Sequence, residues 1–195
     1  MPTIFSQEDK EQIRRQLLRD GRAMMLARGI TKTNIEELAE QAGIAKGTFY
    51  HFFPSKQAFI LEIIHAYQDE KLAQLQQLAA DKKGKLTLEE VLSWYKILYR
   101  PQENPLYHLR KKDMAWIMTK IPPEQLFRPE VDIETGNLIL SMIKDVRDGI
   151  DCRLLANFPK MMALAIEYQD FMHREVLEMN FEMIVDCMFR YVKGC

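Results

Sequence analysis

Apolar residues recur along this chain at steps of three and four, and strictly alternating stretches are absent, so the pattern predicts an all-α protein. The first helix is expected from about Gln7 to Arg28, with Ile13, Leu17, Gly21, Met24 and Met25 on one stripe and Gly29 as its stop. Gly21 on that stripe leaves room for another helix to approach closely. Thr33-Asn34-Ile35-Glu36 reads as a capping box that opens a second helix, the Thr33 hydroxyl accepting from the Glu36 amide and the Glu36 carboxylate accepting from the Thr33 amide. Ile35, Leu38, Ala39 and Ala42 form its apolar face, and Gly43 can take the left-handed conformation a sharp turn requires. A short third helix follows over roughly Ala45 to Phe53. Pro54-Ser55 breaks it, and Ser55 caps a long fourth helix from Lys56 to about Ala80.

Lys82-Lys83-Gly84-Lys85 is the clearest polar break. Beyond it the pattern predicts helices near Thr87 to Tyr99, Pro105 to Lys120, Ile133 to Gly149 and Pro159 to Lys193, with a short turn over Pro123 to Phe127. Asn104-Pro105, Ile121-Pro122-Pro123 and Phe158-Pro159 mark the boundaries. The expected organisation is a three-helix head over residues 1–55, joined through the long fourth helix to a helical body over 56–195. Toward the end of the chain Met161, Met162, Phe171, Met172, Phe181, Ile184, Val185, Phe189 and Val192 cover more than one helix face. Either a second chain or the core of a monomer must cover them.

Composition narrows this picture. Apolar residues make up 47%, with only eight Gly and eight Pro in 195 residues, which suits a packed globular chain and not a disordered one. The three cysteines are odd in number and widely spaced, with neither a CxxC pair nor a disulfide framework, as expected in a reducing cytoplasm. No apolar run approaches the length of a membrane span, and the N-terminus has no signal-peptide pattern. The net charge of -1 excludes a surface that is basic throughout. Residues 1–60 carry nine Lys/Arg against seven Asp/Glu, so nucleic-acid binding would depend on convergence of those charges on one face.

Residues 33–53 supply that possibility. A helix of about eight residues, a Gly-containing turn and a second short helix form the geometry that places the second helix in a major groove. Phe49 and Phe53 lie four apart on one side of the third helix, leaving Lys46, Gly47, Thr48, Tyr50 and His51 for the other. Lys46 can reach guanine O6 or N7 or a phosphate, Gly47 lets the backbone come close to DNA, and Thr48 can touch a thymine methyl or a phosphate.

The run TNIEELAEQAGIAKGTFYHFFPSK over residues 33–56 resembles the TetR family of transcriptional regulators. With Gly29 upstream and Ala58 and Phe59 downstream, the resemblance covers about residues 8–65. It implies that Lys46, Gly47 and Thr48 face bases and nearby phosphates of double-stranded DNA, while Thr33, Tyr50, His51 and Lys56 hold the DNA backbone. Two positions depart from the family pattern: Ala45, often Ser, can neither cap nor touch phosphate, and Phe52, commonly His or Tyr, offers no hydrogen bond. The resemblance also implies a homodimer through the last two long helices, a ligand-responsive repressor bound to a palindromic operator, and a small-molecule effector in the middle helices. Trp94, Tyr95, Tyr99, Met114, Trp116, Met118 and Phe127 are the pocket candidates, and nothing among them names the ligand.

No catalytic, metal or cofactor constellation emerges. Glu62-Ile63-Ile64-His65 has the spacing used in di-iron bundles but occurs once, where such a site needs a second copy and further carboxylates. Cys152 follows Asp151 without a local base and is expected to be inert. Two other readings remain open at this level: an all-α metalloenzyme at Glu62 and His65, and an interaction module that keeps the head fold without binding DNA.

Overall fold

The computed structural model describes residues 6–98 and 111–194, which form ten α-helices and two single 3-10 turns; the expected segment 105–110 and Tyr99 lie outside the described residues. In chain order these are α1 (Gln7–Arg28), α2 (Ile35–Gln41), α3 (Lys46–Phe52), α4 (Lys56–Asp81), α5 (Leu88–Leu98), α6 (Lys111–Lys120), α7 (Pro123–Leu126), α8 (Pro129–Ser141), α9 (Cys152–Glu167) and α10 (Leu177–Lys193). The chain divides into two compact units. Among the described residues, one comprises 6–68 and 111–122, the other 69–98 and 123–194.

The first unit holds α1, α2, α3, the beginning of α4, and α6. Ser6 and Asp9 close a reciprocal capping box at the start of α1, satisfying amides that have no intrahelical partner. Leu17, Met25, Ile30, Leu38, Phe49, Phe53, Phe59, Ile60, Ile63 and Ile64 are fully buried and make its core. Gly21 has the role its place on the stripe suggested: a Cβ there would collide with the Phe59 ring, so its absence is what lets α4 lie against α1. Gly43 adopts φ +68° at the turn after α2, a conformation that costs an L side chain energy. Ser55 accepts from the Ala58 amide at 3.0 Å and starts α4 as expected.

The Thr33 capping box is not formed. Asn34 caps α2 instead, its side chain accepting from the Glu36 amide at 2.9 Å, while the Thr33 hydroxyl turns inward and donates to the Gly29 carbonyl at 3.0 Å. Two adjacent cap-competent residues left the register open by one, and burial of Thr33 decided it.

The second unit packs Leu75, Ala79, Leu86, Val91, Met142, Ile143, Phe158, Met162, Phe181, Val185 and Phe189 into one cluster. Thr87 and Glu90 form a reciprocal box at the start of α5, with bonds of 3.2 and 2.8 Å. Two expected boundaries need correction. The helix expected over Ile133 to Gly149 runs from Pro129 to Ser141: Pro129 supplies a preorganised first turn, and the chain after Ser141 pairs with Leu86. The Leu86 amide donates to the Met142 carbonyl and the Lys144 amide to the Leu86 carbonyl, after which Asp145 takes φ +56°. Pro159, expected as a boundary, sits inside α9, where Phe158 and Met162 are buried in the core. Their packing offsets the backbone hydrogen bond a mid-helix proline forgoes. The break falls later, at the 3-10 turns Gln169–Phe171 and Arg174–Val176, which the apolar pattern read through.

Candidate nucleic-acid interface

The candidate interface is built on α3. Phe49 and Phe53 face inward, and with Phe59 of α4 they form an aromatic cluster with ring centroids 5.4, 5.1 and 4.8 Å apart. That cluster fixes the rotation of α3 about its axis. It leaves Lys46, Gly47, Tyr50 and His51 exposed and Thr48 half-buried, with Tyr50 showing 42% of its surface. Tyr50 stands edge-on to Phe49 at 5.4 Å, so its body is braced while its hydroxyl end reaches solvent. Ala45 is the N-cap of α3 and makes no side-chain cap bond, as its methyl dictates. The Thr48 and Phe49 amides close the first turn on the Ala45 carbonyl, at 2.8 and 3.2 Å.

Lys46 Nζ lies 3.5 Å from Glu36 Oε2 of α2, both side chains largely in solvent. Exposed pairs of this kind contribute at most about 1 kcal/mol, so a phosphate or base edge can take the lysine over. At Gly47 a Cβ would meet nothing within 4 Å, so the chain's own packing does not demand glycine there. The Phe52 side chain is half-buried.

Two other residues expected at the DNA backbone are placed differently. Thr33 is 3% exposed, and its hydroxyl serves the Gly29 carbonyl. Lys56 is half-buried, its ammonium 2.7 Å from the Thr33 carbonyl and 3.5 Å from that of Thr31. It also sits 5.8 Å from the centre of the Trp116 ring. Burial pushes the Lys56 pKa below the ordinary lysine value, while the Asp113 carboxylate acts in the opposite direction. Both residues therefore shape the turn between α1 and α2 in place of reaching outward.

Asp113 is the participant that inspection of the sequence missed. It is completely buried and accepts from the Thr31 amide at 3.0 Å. Its signal was present: Asp113 shares the stripe of Ile117 and Ile121 at four-residue steps, so a carboxylate stands where the helix faces a core.

The pocket candidates are divided between the two units. Met114 is buried, Trp116 half-buried and Met118 exposed in the first; Trp94, Tyr95 and Phe127 belong to the second, and Tyr99 lies outside the described residues. Trp94 donates from its indole nitrogen to the Lys71 carbonyl at 3.2 Å and borders an open depression of about 370 Å³ with Leu78, Glu89, Glu90 and Ser93. Tyr95 packs edge-on against Phe189 at 6.2 Å. Phe127 lies under the Lys160 ammonium at 5.9 Å.

The Glu62 carboxylate is ion-paired with Arg14, and the described residues include no cluster of three or more His, Cys, Asp or Glu side chains suited to a metal. Cys152 is buried against Gly136, its thiol 3.0 Å from Asn137 Oδ1, and burial followed by the Asp151 charge raises its pKa, which suppresses the reactive thiolate. No helix among the described residues is long and apolar enough to cross a membrane.

Comparison with known proteins agrees with this geometry. The model of the tetR family of bacterial regulatory proteins matches residues 17–63, the span from mid-α1 through the start of α4. The transcriptional repressor NemR of Escherichia coli K12 is 40% identical over 67 residues, 33% of this chain and 34% of NemR. The chain thus spans about a third of the length of the NemR relatives it matches. The transcriptional repressor KstR2 of Mycolicibacterium smegmatis is 26% identical over 155 residues, covering 68% of this chain and 74% of KstR2. Among solved structures, the reduced form of E. coli NemR superposes with a TM-score of 0.56 at 20% identity, over 89% of this chain and 95% of that one. A TetR-family regulator from Rhodococcus sp. gives a TM-score of 0.56 at 13% identity, over 91% and 98%. These two likenesses extend the shared fold from the head into the helical body. Residues 17–63 thus carry a helix-turn-helix head that matches the model of the tetR family of bacterial regulatory proteins.

Proposed function

We propose that this protein is a sequence-specific, ligand-responsive transcriptional repressor that occupies a palindromic operator as a homodimer in the cytoplasm, and that it is not an enzyme. The observation that carries this reading is the two-sided character of α3. Phe49 and Phe53 anchor one side to the core, and the opposite side presents a cation, a glycine, a phenol and an imidazole to solvent. In this reading Lys46, Gly47 and Thr48 read bases and nearby phosphates, Tyr50 and His51 hold the backbone, and Thr33 and Lys56 act from behind by shaping the turn into α2.

Two further features support a dimer. Leu154, Met161 and Leu164 of α9 and Met179, Met183 and Ile184 of α10 are exposed, together with Phe171 in the link between them, which shows 85% of its surface. Large exposed apolar side chains concentrated on these elements are the mark of an association surface. A two-fold axis through it gives two heads, and two heads require an operator with matching symmetry. The names of NemR and KstR2 describe repressors, and repression comes to this chain from them. An effector would act by favouring a conformation in which the two recognition helices no longer fit successive major grooves.

A salt titration of operator binding tests the reading at its core. Lys46→Ala is expected to weaken operator binding tenfold or more, and to lower the slope of log K against log salt by about one if its partner is a phosphate. Tyr50→Phe removes a single hydroxyl and is expected to cost about 1 kcal/mol. Binding that is indifferent to DNA sequence and unchanged by either substitution would contradict the proposal.

A further inference from the structure

We infer that Asp113 of α6, acting with Lys56 of α4, is a positioning residue for DNA recognition: it latches α6 onto the turn between α1 and α2 and so fixes how the helix-turn-helix is presented. This rests on the DNA-binding reading of α3. Asp113 is wholly buried, and its Oδ1 accepts from the Thr31 amide at 3.0 Å. A Cβ at Gly29 would stand 2.5 Å from Asp113 Oδ2, so the carboxylate is pressed against the turn backbone itself. Glycine is required there twice over, since its φ of +85° already disfavours an L side chain. Lys56 Nζ donates to the Thr33 carbonyl at 2.7 Å, one residue before the Asn34 cap that starts α2. The ring of Trp116, also from α6, lies 5.8 Å from that ammonium.

The turn is therefore gripped at successive backbone groups, a donor at Thr31 and an acceptor at Thr33, by an acid and a base from different helices. The Thr33 hydroxyl bond to the Gly29 carbonyl ties the remaining end of the same turn. Because the Asp113 carboxylate is buried, slippage of α6 by more than hydrogen-bond slack strands it away from its donor in a medium that penalises it. Few alternative placements of α2 are compatible with that grip. The DNA-reading head is thus completed by a residue 61 positions beyond the end of α3, and α6 is part of the recognition apparatus without touching DNA.

The test compares Asp113→Asn, which keeps an oxygen to accept from the Thr31 amide, with Asp113→Leu, which keeps the branched shape, with bulkier methyl groups, and removes the acceptor. Operator affinity, affinity for random-sequence DNA and amide exchange at Thr31 are measured for each in the full chain. Asp113→Asn is expected to stay within about threefold of the parent, since the hydrogen bond survives. Asp113→Leu is expected to lose tenfold or more in operator affinity, to keep its random-DNA affinity and to lose exchange protection at Thr31. Retention of random-DNA binding separates misplacement of α3 from unfolding, which would abolish both. Should Asp113→Leu fail to fold, Asp113→Asn and Lys56→Met carry the comparison, with Lys56→Met expected to lose operator discrimination. Parental operator affinity in a folded Asp113→Leu, or an unprotected Thr31 amide in the operator-bound parent, would overturn the inference. Failure of the parent to select any DNA sequence would instead defeat the DNA-binding reading and leave the Thr31 exchange result to judge the latch alone.

Discussion

At the scale of single residues the candidate interface separates groups buried in the core from groups presented to solvent. Phe49 and Phe53 are buried; Lys46, Gly47, Tyr50 and His51 are not. Gly47 isolates the functional contribution most cleanly. Alanine is favoured over glycine in helices by up to about 1 kcal/mol, and a Cβ at this position meets nothing. Gly47→Ala should therefore leave the thermal midpoint unchanged or raise it, while operator affinity falls because the added methyl stands between backbone and DNA. A variant that is stabilised and binds the operator as the parent does would deny Gly47 its role. The exposed face of α3 was legible in the sequence because its arrangement is local: two phenylalanines four apart dictate which side of a seven-residue helix is left over. Thr33 and Lys56 were not legible in the same way. Whether a threonine beside an asparagine points outward, and whether a lysine at a helix start reaches solvent, is settled here by Gly29, Asp113 and Trp116, two of which lie more than 55 positions away from Lys56.

At the scale of elements, the boundaries that carry explicit chemical punctuation are the ones that could be read. α1 ends at Gly29, the turn after α2 falls at Gly43 and α4 starts at Ser55, each as expected, while the Ser6 cap of α1 was added by the structure. α8 and α9 could not be placed this way. Asp145 takes a positive φ without being glycine, Leu86 recruits the segment after Ser141, and Pro159 is tolerated in mid-helix because of what its neighbours bury. The start of α5 yields a pH prediction. The Glu90 carboxyl is held below its usual range chiefly by the hydrogen bond from Lys82 and then by the Thr87 amide. A lowered folded-state pKa means that this contribution is complete above the unfolded value of about 4.3 and disappears as pH falls through the lower folded value. Glu90→Gln should therefore lower the unfolding midpoint at pH 7 and converge with the parent at an acidic pH below that lowered value. An equal offset at both pH values would show that charge on Glu90 is irrelevant to the cap.

At the scale of the whole molecule, the contacts assign residues 111–122 to the same compact unit as the helix-turn-helix, which no local pattern could announce, because it depends on the chain returning to its beginning. The exposed apolar residues of α9 and α10 were legible as a surplus that a single helix face could not absorb. Met183, 60% exposed, tests whether a second copy absorbs it. Met183→Lys places a charge where a monomer loses nothing and a dimer must desolvate it, so sedimentation should show a shift toward monomer with helicity retained. An unchanged mass distribution would place the dimer surface elsewhere.

The most direct measurement of the central claim is selection of bound sequences from a random double-stranded DNA library with the full-length protein. Enrichment of a palindrome whose half-sites are spaced by about one helical turn or a multiple of it, lost with Lys46→Ala, is the predicted result. Recovery of unenriched sequence, or of a motif without two-fold symmetry that Lys46→Ala binds equally well, would contradict it.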